Sequence, residues 1–136
     1  MTTRLFSATE YRFVVPGPAV SFRSPKAKDY KARVRREAAK VFPSPPVEKS
    51  VDVWIDYFHL KRRKVDTDNV AKCILDALNR VAYVDDRQVG AVSSRAFSLL
   101  SVVELPGGPV DLVKPLKDFS EYTFVRVREA VDRAWR

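Results

Sequence analysis

Cysteine and histidine are almost missing from this chain of 136 residues, which has one of each, Cys73 and His59. A single cysteine rules out an internal disulfide framework and fits a reducing, cytoplasmic setting. Its place in a helical pattern points to core packing rather than a catalytic thiol. A single histidine leaves a histidine-based metal site without partners, and a position near a strand end favours packing or a surface hydrogen bond over catalysis. No glycine-rich phosphate loop and no nucleophile-elbow motif occurs. No apolar run approaches the roughly 20 residues that a membrane helix needs, and the first residues lack the apolar core of a signal peptide. Internal repeats and low-complexity tracts are also missing. Acid–base and metal chemistry are therefore left to carboxylates and lysines.

What is present is charge, unevenly placed. Residues 1–65 hold 15 Lys/Arg against 6 Asp/Glu and residues 66–136 hold 10 against 11, so the net charge of +8 sits in the first half. A basic half feeding an acidic motif suggests a polyanion brought to a metal site, although a solvated basic surface explains the charge equally well. The length fits one domain, residues 1–136, with a core of its own, and the 46% hydrophobic and 31% charged content is that of a globular protein.

Residues 11–15 are β-rich and read as a first strand, ended by Pro16-Gly17-Pro18. Residues 19–28 read as an irregular loop carrying Arg23, Lys26 and Lys28 beside Ser21 and Ser24. Such a loop suits a phosphate backbone, or is an ordinary surface loop. The spacing of Tyr30, Val34, Ala38 and Val41 predicts a helix over residues 29–41, stopped by the proline-rich stretch after Phe42. Val51, Val53, Ile55 and Tyr57 alternate with Asp52, Trp54, Asp56 and Phe58, a strand apolar enough on both faces to lie inside a sheet. Residues 89–97 and 99–105 read as two more strands, Pro106-Gly107-Gly108-Pro109 as a turn and residues 110–118 as a connector. Tyr122-Thr123-Phe124-Val125 favours a strand, but the four-residue spacing of Val127, Val131 and Trp135 tips residues 121–135 to a C-terminal helix.

The stretch that organises the rest is residues 61–86. Lys61, Arg62, Arg63 and Lys64 run directly into Asp66 and Asp68. Val70, Ile74, Ala77, Leu78 and Val81 predict an amphipathic helix over residues 69–80, with Asp68 or Asn69 as its N-cap. Were residues 65–68 extended, Asp66 and Asp68 would point to the same side, about 7 Å apart. Lys72 lies four residues after Asp68 and four before Asp76, helical neighbours on both sides. A second acidic pair, Asp85-Asp86, closes the stretch, and after the adjoining Arg87 the next cation downstream is Arg95. Each of these charges alone could be a cap or a surface ladder. The whole, D-x-D-N-x-x-K-x-x-x-D-A-L followed by D-D-x-Q-V, is much less readily explained by capping.

Residues 66–89 resemble the RusA family of Holliday junction resolvases, the crossover junction endodeoxyribonucleases. The resemblance rests on Asp66, Asp68-Asn69, Lys72, Asp76-Ala77-Leu78, Asp85-Asp86 and Gln88-Val89, together with the basic run and the strand before them. Pro16-Gly17-Pro18-Ala19-Val20-Ser21-Phe22-Arg23 is similar to the family's proline-rich basic loop. No likeness extends beyond about residue 105, which makes residues 106–136 a candidate C-terminal extension.

The resemblance implies a single-domain mixed α/β (α+β) fold, a sheet packed with helices. It also implies a homodimer, and magnesium-dependent cleavage of branched DNA, the four-way junction, at symmetric positions. The implied metal carboxylates are Asp66, Asp68 and Asp86, with Asp85 the alternative to Asp86; the implied essential lysine is Lys72. Manganese is the expected substitute for magnesium. The DNA-backbone contacts expected from charge are Arg23, Lys26, Lys28, Lys61, Arg62, Arg63, Lys64 and Arg95. The helix-to-acidic-pair spacing is about one residue short of some members, and Ala82 and Tyr83-Val84 stand where a glycine and an aromatic are often found. Two rival functions remain open at this stage: a non-catalytic DNA-binding protein of the same fold, and a metal-dependent nuclease acting on other nucleic acids.

Overall fold

A computed structural model describes residues 9–99 and 120–130. Among them the chain forms β1 (Glu10–Pro16), α1 (Ala27–Ala39), β2 (Val51–His59), α2 (Thr67–Leu78), a short 3₁₀ helix (Asp86–Gln88), β3 (Val89–Ser98) and β4 (Tyr122–Glu129). The strands make one sheet in the order β1-β4-β2-β3. β4 pairs antiparallel with both β1 and β2, whereas β2 and β3 run parallel. The parallel pair is joined through α2, because parallel neighbours need a crossover long enough to hold a helix. The fold is thus a mixed α+β sheet with helices.

Alternation along β2 sorts the core. Val53, Ile55 and Tyr57 face the helices, where they share one cluster with Tyr30, Val34 and Ala38 of α1 and with Val70, Cys73, Ile74 and Leu78 of α2. Phe58 faces the other way and packs with Leu99 and Tyr122. β2 lies inside the sheet, as its apolar content on both faces required.

Several boundaries differ from those read in the sequence. α2 begins at Thr67 and ends at Leu78, two residues earlier at each end than the spacing suggests. Asn79 leaves the helix with ψ 129, and Arg80 takes a left-handed φ of 67. α1 also starts early, because Ser24 turns the chain. Its hydroxyl accepts from Lys26 N at 3.1 Å and its carbonyl from Ala27 N at 3.0 Å, which places Lys28 on the helix rather than in the loop.

The larger correction is at the C-terminal end. Residues 122–129 are a strand, not a helix. Thr123, Val125 and Val127 are fully buried at two-residue spacing on the helix side, and this period decides the element. Between β1 and β2 both backbone edges of β4 find partners. This piece of the candidate C-terminal extension is an inner strand of the sheet. The expectations for residues 100–105, 106–118 and 131–135 lie outside the described residues.

Candidate active site and nucleic-acid interface

β2 ends by feeding the basic run into the start of α2. The buried His59 shapes the exit: its Nδ1 accepts from Lys61 N at 3.1 Å. This is the packing-and-hydrogen-bond role its position suggested. Lys61 Nζ lies 5.7 Å from the ring centre of Tyr57. Asp66, not Asp68 or Asn69, caps α2. Its Oδ1 accepts from Asn69 N at 3.1 Å and its Oδ2 from Asn69 Nδ2 at 2.6 Å. Because Thr67 is already helical, Asp66 and Asp68 are not alternate positions of one strand. Asp68 lies instead in the first turn of α2.

Asp68, Lys72 and Asp76 then follow one another along α2, each about 6 Å further along the axis. Asp68 and Lys72 are exposed. Asp76 accepts from Lys31 Nζ of α1 at 2.6 Å, with the two side chains 44% and 20% exposed. Lys31 Nζ also lies 5.2 Å from the centre of the Phe22 ring. Cys73, next to Lys72 in the helix, is fully buried, and loss of hydration pushes its thiol pKa up.

The acidic turn is built by Gln88. Its Oε1 accepts from Val84 N at 2.9 Å and Asp85 N at 3.0 Å, while its Nε2 donates to the carbonyls of Val47 at 2.8 Å and Lys49 at 2.9 Å. Asp85 reciprocates by accepting from Arg87 N at 2.9 Å, which completes a capping box. This explains why D-D-x-Q is a unit: the glutamine fixes the backbone that carries the acids.

The two acids of the turn titrate differently. The Arg87 backbone N–H holds the Asp85 pKa below the usual carboxylate value. Asp86 is pushed up, first by lost hydration, then by hydrogen bonding to and repulsion from Asp85, then by repulsion from Asp76. Tyr83 lies beneath them, donating to Leu75 O at 2.8 Å. Burial raises its phenol pKa, and Asp86, Asp76 and Asp85 raise it further.

Asp86 thus feels the charge of Asp76, while Asp66 is engaged in the helix cap. Among the described residues no three histidine, cysteine or carboxylate side chains stand together as a ready metal-ligand set. Asp68, Lys72 and Asp76 make a charged strip along α2, with Asp66 at its cap. The sequence reading left Asp76 out of the site. Its spacing of four from Lys72 was the available signal.

The basic residues separate into four groups. Lys26 and Ser24 from the β1–α1 loop, and Lys61, Arg63 and Lys64 from the β2–α2 loop, line one cleft of about 790 Å³ together with Asp66. Arg33 of α1 also lines it and was missed in the sequence. It donates to Pro16 O at 3.1 Å, and it packs so close to Gly17 (φ +92) that a Cβ there would lie 2.6 Å from Arg33 Nη1. Only glycine fits that turn.

Arg62 instead lines a second cleft of about 710 Å³ on the other side of the basic run, with His59, Thr67 and Ser98. Arg23 and Lys28 are exposed and outside both clefts. Arg95 stands apart. It lies on the sheet face away from the helices, as the two-pronged partner of the buried Asp56 at 2.9 and 3.2 Å, and the structure accounts for it as a fold contact.

No helix among the described residues is long and apolar enough to cross a membrane. Among curated proteins none matches the sequence. The family model described as endodeoxyribonuclease RusA matches residues 11–103, about two thirds of the chain. Both basic loops, the acid-bearing helix and the acidic turn lie inside that span, and the chain belongs to the RusA endodeoxyribonuclease family, whose members resolve Holliday junctions.

Proposed function

We propose that this protein is a magnesium-dependent endonuclease that resolves four-way DNA junctions by symmetric hydrolysis of opposed strands, in recombination and repair. The observation that carries the reading is the carboxylate of Asp66 at the wall of a cleft where, with Asp29, it stands among cations from two loops and α1. Carboxylates repel DNA, so acids in a cationic cleft make chemical sense when a metal ion is shared between them and a phosphate.

The donor chemistry fits a hard cation. The exposed candidates are all carboxylate oxygens, while Cys73 is buried and His59 is used by the backbone. Lost hydration, and after it the nearby charges of Asp85 and Asp76, raise the pKa of Asp86, and a bound cation relieves such crowding. Asp66, Asp68 and Asp86 are the proposed ligands, with Asp85 the alternative to Asp86; magnesium, or manganese in its place, needs few protein ligands and keeps several waters. A bound ion supplies Lewis acidity toward the scissile phosphate and lowers the pKa of a water.

The remaining roles belong to the chain. Lys26, Lys61, Arg63 and Lys64 hold backbone phosphates by charge-assisted hydrogen bonds. Lys72, exposed between Asp68 and Asp76, stabilises the negative charge that develops on the phosphate. Lys31 neutralises Asp76, which lowers the repulsion felt along the strip. A homodimer would present two such sites to two opposed strands.

Incubation with a synthetic four-way junction, magnesium and matched duplex controls tests this reading. Paired symmetric nicks with ligatable ends support it. Binding without cleavage would favour a DNA-binding module. Equal cleavage of RNA or linear duplex would favour a general nuclease.

A further inference from the structure

We propose that Glu121, at the entry to β4 and outside the family-matched span, is a positioning residue that holds the two basic loops of the cleft in register. The inference rests on the DNA-binding reading of that cleft.

The link is a chain of polar contacts. The backbone of Ala19, in the first basic loop, approaches the hydroxyl of Tyr57 closely enough to favour its ionised form against the burial that raises its pKa. That hydroxyl donates to Glu121 Oε1. Leu60 N, the first amide of the second basic loop, donates to Glu121 Oε2 at 2.9 Å. The carbonyl of Glu121 takes Gly17 N at 2.8 Å. Ala19 and Tyr57 are buried, so the tyrosine end of the link lies away from bulk water, where loss of one partner is costly, while the Leu60 amide bond lies at the surface.

Both carboxylate oxygens thus hold the end of β2, through Tyr57 and Leu60, and the carbonyl of the same residue holds Gly17 N, so Glu121 ties the strand end that leads to Lys61, Arg63 and Lys64 to the start of the loop carrying Lys26. Phosphate contacts by cations depend on spacing, since register along the backbone is what such contacts fix. Glutamine cannot replace Glu121 fully. Its one carboxamide oxygen must serve either the tyrosine or the amide, and its NH₂ would face the other donor.

The experiment has a DNA-free arm and a DNA arm, on the full chain. Hydrogen exchange is measured at the amides of Ala19 and Leu60 in wild type, Tyr57→Phe, Glu121→Gln and Glu121→Ala, with Val53 as the core reference. Junction affinity is then measured across a salt series. Glu121→Ala should speed exchange at Leu60 by about tenfold, the loss of one charge-assisted hydrogen bond, and leave Val53 unchanged. Its salt dependence of junction binding should be shallower than that of wild type, and KM should rise while kcat at saturating junction stays within about threefold. Glu121→Gln should fall between Glu121→Ala and wild type. The core variant Val34→Ala, which lowers overall stability, should leave the salt slope alone.

Unchanged exchange at Leu60 and Ala19 would overturn the clamp. Faster exchange with an unchanged salt slope would overturn its role in positioning. A wild type that ignores the junction would sink the proposed function, while the exchange data would still decide the clamp.

Discussion

Asp66 and Asn69 are joined twice, backbone amide to Oδ1 at 3.1 Å and carboxamide to Oδ2 at 2.6 Å, so one of the proposed metal ligands is also the cap of α2. This double use separates Asp66 from Asp68, which lies exposed in the first turn. Asp66→Ala should cost about 1 kcal/mol of folding stability, as the loss of an N-cap does, and should also abolish cleavage. Asp68→Asn should leave stability within about 0.5 kcal/mol. Urea unfolding read beside cleavage distinguishes the two. Equal stability losses would contradict the cap assignment.

Gln88 should be as intolerant of change as the acids it positions. Gln88→Ala leaves two amides and two carbonyls without their side-chain partner, which should cost about 1–3 kcal/mol and reduce cleavage. Gln88→Glu keeps the acceptor for Val84 N and Asp85 N but loses the donor to Val47 and Lys49, so it should fall between the two. Thermal unfolding of both variants checks the order.

The basic run should act by charge. Replacing Arg62 and Arg63 with alanine should weaken binding to junction and duplex alike and lower the slope of log affinity against log salt by about 2. Arg95→Ala should do the opposite. It should leave the slope unchanged while destabilising the fold by about 1–3 kcal/mol, because it strips the buried Asp56 of its partner. A salt titration with both variants decides which arginines touch DNA.

Lys31 and Asp76 should behave as a coupled pair. Lys31→Met and Asp76→Asn should each lower stability, and the double variant should lose less than the sum, with a coupling of about 0.5–1 kcal/mol for a half-exposed ion pair. A zero coupling in the double-mutant cycle would mean that the 2.6 Å contact contributes nothing in solution.

Much of the fold was legible because its elements carry strong periodicity. β2 declares itself by alternation and α2 by its apolar stripe. The boundaries were less so. The α2 start hinges on which of three polar residues caps it, and Asp66, Asp68 and Asn69 are all good caps. β4 was lost to a coincidence of spacing, since Val127 belongs to the alternating run of Thr123 and Val125 as well as to a four-residue series with Val131 and Trp135.

At the site, the linear motif located the acids on α2 and the turn before β3. It could not reveal that the charge of Asp76 reaches Asp86, because that approach depends on how the chain folds back after Arg80. Arg33 and Glu121 were invisible for a similar reason. Each acts through residues far away in sequence, Pro16 and Leu60, and neither belongs to a local pattern.

The most direct test of the central claim is cleavage of a four-way junction by wild type and by Asp68→Asn, each with and without magnesium, with binding measured on the same samples. The wild type should nick opposed strands symmetrically only when magnesium is present. Asp68→Asn should bind the junction at least as tightly yet cut it about a hundredfold more slowly or worse. Normal cutting by Asp68→Asn, or wild-type cutting that is indifferent to magnesium, would contradict the account.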